Sequence, residues 1–152
     1  MNMKVLAVGK LKEKFIRQGI EDYRKKLSKY VMMDMIEVPD EKAPENMSKL
    51  EMEQVKEKEG ERLLSHISKE AYVITLEIGG QMLDTDQFAK KLKEVSAIAG
   101  EIVFVIGGSL GLSKQVMKRS NYALSFSKMT FPHQLMRLVL LEQIYRAYRI
   151  SK

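Results

Sequence analysis

The sequence predicts an α/β domain built on a mostly parallel sheet with helices on both faces. Three observations lead there. Short apolar runs recur along the chain without the polar alternation of a half-wet sheet, stretches of helical periodicity separate them, and glycine or proline closes several of them. Strands buried on both faces read as continuous apolar runs, and strands alternating with helices imply crossover connections. At 152 residues the expectation is a single domain over 1–152 with a core of its own.

The elements follow in order. Lys4-Val-Leu-Ala-Val-Gly9 reads as a buried strand closed by glycine. From Glu13 to Tyr30 the apolar residues Phe15, Ile16, Ile20, Tyr23, Leu27 and Tyr30 trace one helical face, and basic residues cover the other. The plain reading of that basic face is solvation. Val31 to Val38 is a second strand, and Pro39 to Asn46, with two of the three prolines, is a loop. Ser48 with Glu51 has the form of a capping box. The helix it opens runs to about Ser68 with Leu50, Val55, Leu63, Leu64 and Ile67 inward, weakened at Gly60 and expected to be the most mobile part.

Ala71 to Glu77 is a third strand ending in a turn at Ile78-Gly79-Gly80. Asp84 with Gln87 caps a helix that carries Phe88, Leu92 and Val95 inward. Glu101 to Ile106 is the most hydrophobic strand, closed by Gly107-Gly-Ser-Leu-Gly111. Ser113 caps a short helix to about Ser120, and Tyr122 to Phe126 is the fifth strand. Pro132 then opens a last helix, apolar over most of its circumference. Such a helix is too apolar for a monomer's surface and is expected to face a partner. No linker, repeat or low-complexity segment interrupts this order.

Composition narrows the function. A net charge of +6 and a pI near 9.4 favour polyanionic partners, nucleic acid first. The basic residues form no tail or block, so folding must assemble any binding surface. The chain has no cysteine and only two histidines, His66 and His133. Disulfides, thiolate chemistry and a multi-histidine metal site are therefore not expected. No apolar run approaches ~18 residues and no signal-peptide pattern is present, so a soluble cytoplasmic protein without membrane contact is expected.

In open α/β sheets, ligands gather at the carboxyl ends of strands. Three such ends stand out: Leu76-Glu-Ile-Gly-Gly80, Ile106-Gly-Gly108 and Phe126-Ser-Lys-Met-Thr-Phe131. The glycine loops match neither the dinucleotide fingerprint nor a P-loop, which argues against NAD and ATP. No G-x-S-x-G is present for a serine hydrolase, and no spacing supports Glu77 and Glu142 as a catalytic pair. Glu142 instead has Arg146 at i+4 as an ion-pair partner. His133 begins the last helix and Arg137 follows at i+4, both within reach of a ligand in the preceding loop.

Phe104-Val-Ile-Gly-Gly-Ser-Leu-Gly111, Ala123 to Arg137 and Glu142-Gln-Ile-Tyr-Arg-Ala147 resemble the signature blocks of the ribosomal RNA large subunit methyltransferase H family, within the SPOUT class. The resemblance covers essentially the whole chain, from Leu6-Ala-Val-Gly-Lys-Leu-Lys-Glu13 and Val38-Pro-Asp-Glu-Lys-Ala-Pro-Glu-Asn46 onward. It implies a C-terminal trefoil knot, a homodimer and S-adenosylmethionine-dependent methylation of N3 of a pseudouridine. The implied substrate is the helix 69 stem-loop of 23S ribosomal RNA, in the assembled ribosome. By matching positions, the implied cofactor residues are Leu76, Gly107, Phe126, Ser127, Lys128, Met129, Thr130 and Phe131. Alongside them, His133 is a candidate for proton handling and Arg137 for phosphate or base contact.

Members of that family continue into a short tail with a Tyr-His pair, whereas this sequence stops at Ile150-Ser-Lys152. The tail's catalytic role is therefore assigned to no residue here. Two other classes compete with the enzyme. One is a non-catalytic RNA- or ribosome-binding module on the same fold. The other is a flavodoxin-type small-molecule domain, against which stands the absence of tryptophan.

Overall fold

A computed structural model describes residues 1–42 and 45–150. The loop expected over Pro39–Asn46 thus falls partly outside the described residues at Ala43 and Pro44, and so does the end of the chain at Ser151 and Lys152. The strands are β1 (Asn2–Val8), β2 (Met32–Val38), β3 (Tyr72–Met82), β4 (Glu101–Ile106) and β5 (Tyr122–Ser125). Between and after them lie the helices α1 (Lys14–Leu27), α2 (Lys49–Leu64), α3 (Thr85–Ile98), α4 (Lys114–Arg119) and α5 (His133–Ile150). The sheet has the order β2-β1-β4-β3-β5, and every pairing is parallel.

Both sheet faces are covered, which explains why the strands carry no polar stripe. Met3, Val5 and Ala7 of β1 point into one core with Ile20 of α1, Phe88 of α3 and Leu140 of α5. Leu6 and Val8, on the alternate positions, enter a second core with Leu63 of α2 and Val116 of α4. Fully buried residues such as Phe104 and Leu141 each contribute roughly 1.5–3 kcal/mol by leaving water. The last helix packs between α1 and α3.

Helix starts follow local chemistry. The capping boxes at Ser48/Glu51 and Asp84/Gln87 are both formed, with amide-to-side-chain distances between 2.7 and 3.2 Å. Ser113 caps α4 by accepting from the Val116 amide at 3.2 Å. Helix α1 has no such cap, but Arg24, Lys25 and Lys26 in its last turn complement the helix dipole. The Pro132 carbonyl accepts from the Met136 amide at 3.1 Å, so the proline stands just ahead of α5.

Two expectations need correction, at Gly79-Gly80 and at Leu50, and Gly60 gains a second role. The Gly79-Gly80 pair does not end the third strand: β3 runs on to Met82, and Leu124 of β5 faces both Leu76 and Gln81 across an irregular register. A Cβ on Gly80 would lie 2.7 Å from the backbone of Ala123. The glycine therefore serves close strand approach rather than a turn. Leu50 is 68% exposed, because only the C-terminal half of α2, at Glu59, Gly60 and Leu63, is buried. Gly60 is a contact point of α2, where an added Cβ would meet the Ser113 hydroxyl of α4 at 2.4 Å.

Candidate active site

The irregular middle of β3 after Leu76 and the ends of β4 and β5 come together because β4, β3 and β5 are neighbours. Leu76 pairs with Leu124, and one residue earlier Thr75 pairs with Val105, so Leu76, Ile106 and Leu124 reach the same level of the sheet. Gly107 follows directly. A Cβ there would sit 2.9 Å from the backbone of Gly111, so only glycine lets the turn close. The turn is completed by the Gly111 amide donating to the Gly108 carbonyl at 3.1 Å.

The loop after β5 is pinned at one end and open at the other. Phe126 packs edge-on against Phe88 with ring centroids 6.4 Å apart. The Ser125 hydroxyl donates to the Ser127 carbonyl at 3.0 Å, and the Ser127 hydroxyl accepts from the Met129 amide at 3.0 Å. Lys128, Met129, Thr130 and Phe131 are exposed. They lead into the first turn of α5, whose amides point outward without helical acceptors. Half-buried Leu76 and Phe126 supply an apolar wall, and the loop and helix start supply donors. The combination suits a ligand with a flat apolar part and a polar edge.

His133 is half-buried at the start of α5. Burial, then the nearby positive charge of Arg137, pulls its pKa below the usual histidine value, against a smaller upward pull from Asp40. That shift favours the neutral imidazole, the form that accepts a proton. Arg137, the candidate for phosphate or base contact, is held by partners inside the fold. It is 1% exposed. One Nη group donates to Glu37 at 2.6 Å and the other to the Val8 and Gly9 carbonyls at 2.9 and 2.7 Å. The guanidinium fastens α5 to the ends of β1 and β2. Burial lowers its pKa, and the hydrogen bond and charge of Glu37 oppose that shift.

Two carboxylates at these strand ends escaped sequence reasoning. Glu37 also accepts from the Leu11 amide at 3.0 Å, which ties the segment after β1 to the same clamp. Glu59 of α2 is 5% exposed, accepts from the Glu41 amide at 3.0 Å and lies against Gly108. Burial raises its pKa above the usual carboxylate value; the Glu41 amide works against that. Glu59 stands in a charged stretch that looks solvated in one dimension, and Glu37 sits among apolar residues near the end of β2. The one signal for Glu59 was the adjacent glycine, which marks a close helix contact. Glu77 accepts from the buried Thr75 hydroxyl, and Glu142 pairs with Arg146 within α5.

Among the described residues no group of three or more His, Asp or Glu side chains is gathered as a metal ion would need, and no helix is long and apolar enough to cross a membrane. Two similarities to known proteins accompany this geometry. The family model described as "Predicted SPOUT methyltransferase" matches residues 1–152. A solved structure described as a probable methylase family protein from Haemophilus influenzae Rd KW20 superposes with a TM-score of 0.57 at 12% identity, over 98% of this chain and 67% of that one. At that identity the second likeness concerns the fold.

Proposed function

The chain belongs to the SPOUT methyltransferase family, and from that premise we propose that it transfers a methyl group from S-adenosylmethionine to N3 of a pseudouridine in helix 69 of 23S ribosomal RNA. The observation that carries this reading is that Leu76 of β3, Gly107 after β4 and the 126–131 loop after β5 lie on adjacent strands at one level of the sheet. They are the residues to which the family resemblance assigns the cofactor. When bound, S-adenosylmethionine supplies a methyl group already activated as an electrophile.

The residues then have chiefly to position and to handle one proton. Leu76 and Phe126 offer the apolar wall, and the Gly107 turn and the Ser127–Phe131 backbone offer the polar contacts. His133, held neutral by burial, takes up the N3 proton as the nucleophile forms. Arg137 acts as a positioning residue, because its clamp sets where α5 begins. We read the protein as a homodimer: Ile78, Met82, Met129 and Phe131 are exposed apolar residues on the β3–β5 side of the site, a surface suited to burial against a second copy.

The test has two steps. Titration calorimetry with S-adenosylmethionine is expected to show saturable binding, and its absence at millimolar ligand overturns the enzyme reading. Radiolabelled methyl transfer to ribosomes lacking the modification is expected to mark one pseudouridine in helix 69. Cofactor binding with no transfer to ribosomes would point to a different methyl acceptor.

A further inference from the structure

A second concavity opens where α1 crosses the edge strand β2, with a volume of about 570 Å³, within the range of sites that take small organic groups. Val5, Ala7, Ile20 and Met35 give it an apolar floor, and Lys10, Arg17 and Arg24 stand along it with Glu21, Glu37 and Arg137. Its charges do not cancel. Glu21 lies 4.0 Å from Arg24, and Glu37 is engaged by Arg137 and the Leu11 amide. Among the described residues Lys10 and Arg17 have no acidic partner within salt-bridge distance, and both are exposed. Arg137, which also lines the cleft, keeps a buried Nε without an acceptor.

The cleft is tied to the active site. The Lys12 amide donates to the Gln134 side chain at 3.0 Å, so the segment that carries Lys10 is held against the residue after His133. We propose that this cleft holds one unstacked nucleotide of the RNA substrate, its base on the apolar floor and its flanking phosphates against Lys10 and Arg17. This rests on the RNA reading above and adds where the strand runs. An inorganic anion would leave the apolar floor unused, whereas a nucleotide engages the floor together with Lys10 and Arg17. Unstacked bases are the usual object of RNA recognition. Among the described residues no aromatic side chain lines the cleft, so the base would rest on aliphatic groups and the phosphate contacts would dominate the affinity.

The test is fluorescence anisotropy of a labelled single-stranded RNA hexamer on the intact protein across a salt series. K10A/R17A is expected to weaken binding about tenfold. It should also flatten the plot of log affinity against log salt by about 1.4, for two single-strand phosphate contacts. Met35→Trp, which fills the floor, should weaken binding with the salt slope unchanged, circular dichroism reporting that it folds. K25A/K29A serves as the control for general basicity. A wild type that ignores the hexamer, or a K10A/R17A protein that binds like wild type or like K25A/K29A, overturns the cleft. Binding through Lys10 and Arg17 with ribosomes left unmethylated keeps the cleft and overturns the substrate reading instead.

Discussion

Replacing Arg137 by alanine would remove the guanidinium from two backbone carbonyls and from the Glu37 carboxylate, which would keep the Leu11 amide, where α5 meets β1 and β2. Breaking a buried pair costs about 3–5 kcal/mol. Glu37 is partly exposed, so R137A is expected near ~3 kcal/mol, read as a lower urea midpoint. Lysine restores the charge but not the fork, and should recover only part. Unchanged methyl transfer by folded R137A would remove Arg137 from the mechanism. For His133 the sign follows from a folded pKa below the ordinary 6.5. On acidification the unfolded chain binds the proton first, so this group's contribution to stability is full above about 6.5 and falls as the pH drops through the folded value. As proton acceptor it should give kcat/KM an acid limb below pH 6.5 that His133→Asn abolishes, and a limb unchanged in that variant would exclude the role. The His133–Arg137 spacing was legible in the sequence. The arginine's partners, 100 and 129 residues away, were not, since pairing across the fold leaves no local pattern.

At the scale of elements, α2 and α4 meet at Gly60. Gly60→Ala improves helix propensity by up to about 1 kcal/mol but drives a methyl group onto the Ser113 hydroxyl that caps α4. Overpacking costs about 1–3 kcal/mol, so a net fall in thermal midpoint is expected; a rise would show that the two helices part easily. Glu59 carries the opposite sign from most carboxylates. With its folded pKa raised, it favours the fold most below the unfolded value of 4.5, and that contribution is lost as pH rises through the folded pKa. Glu59→Gln keeps an acceptor for the Glu41 amide and should raise the thermal midpoint by a few degrees at pH 8, with the gain shrinking toward pH 4. Both capping boxes and the apolar strands could be read in advance because capping and periodicity are local. The continuation of β3 through Gly79-Gly80 could not, because a glycine that turns a chain and one that admits a neighbouring backbone look the same until the neighbour is known.

For the whole molecule, sedimentation at micromolar concentration should give twice the 17.5 kDa of the chain. The double change I78D/M82D, on the exposed β3 end, should shift it to monomer, and a wild-type monomer would remove the dimer. Strand alternation announced a parallel sheet, but the order β2-β1-β4-β3-β5 had to come from the fold, since only contacts distant in sequence distinguish it from other windings. That order also sets a sequence in time. Strand β1 lies between β2 and β4, yet β4 begins only at Glu101, and the grip on Val8 and Gly9 waits for Arg137. A chain still being translated therefore holds its first strands without their inner neighbour and has no finished site until its last helix is free.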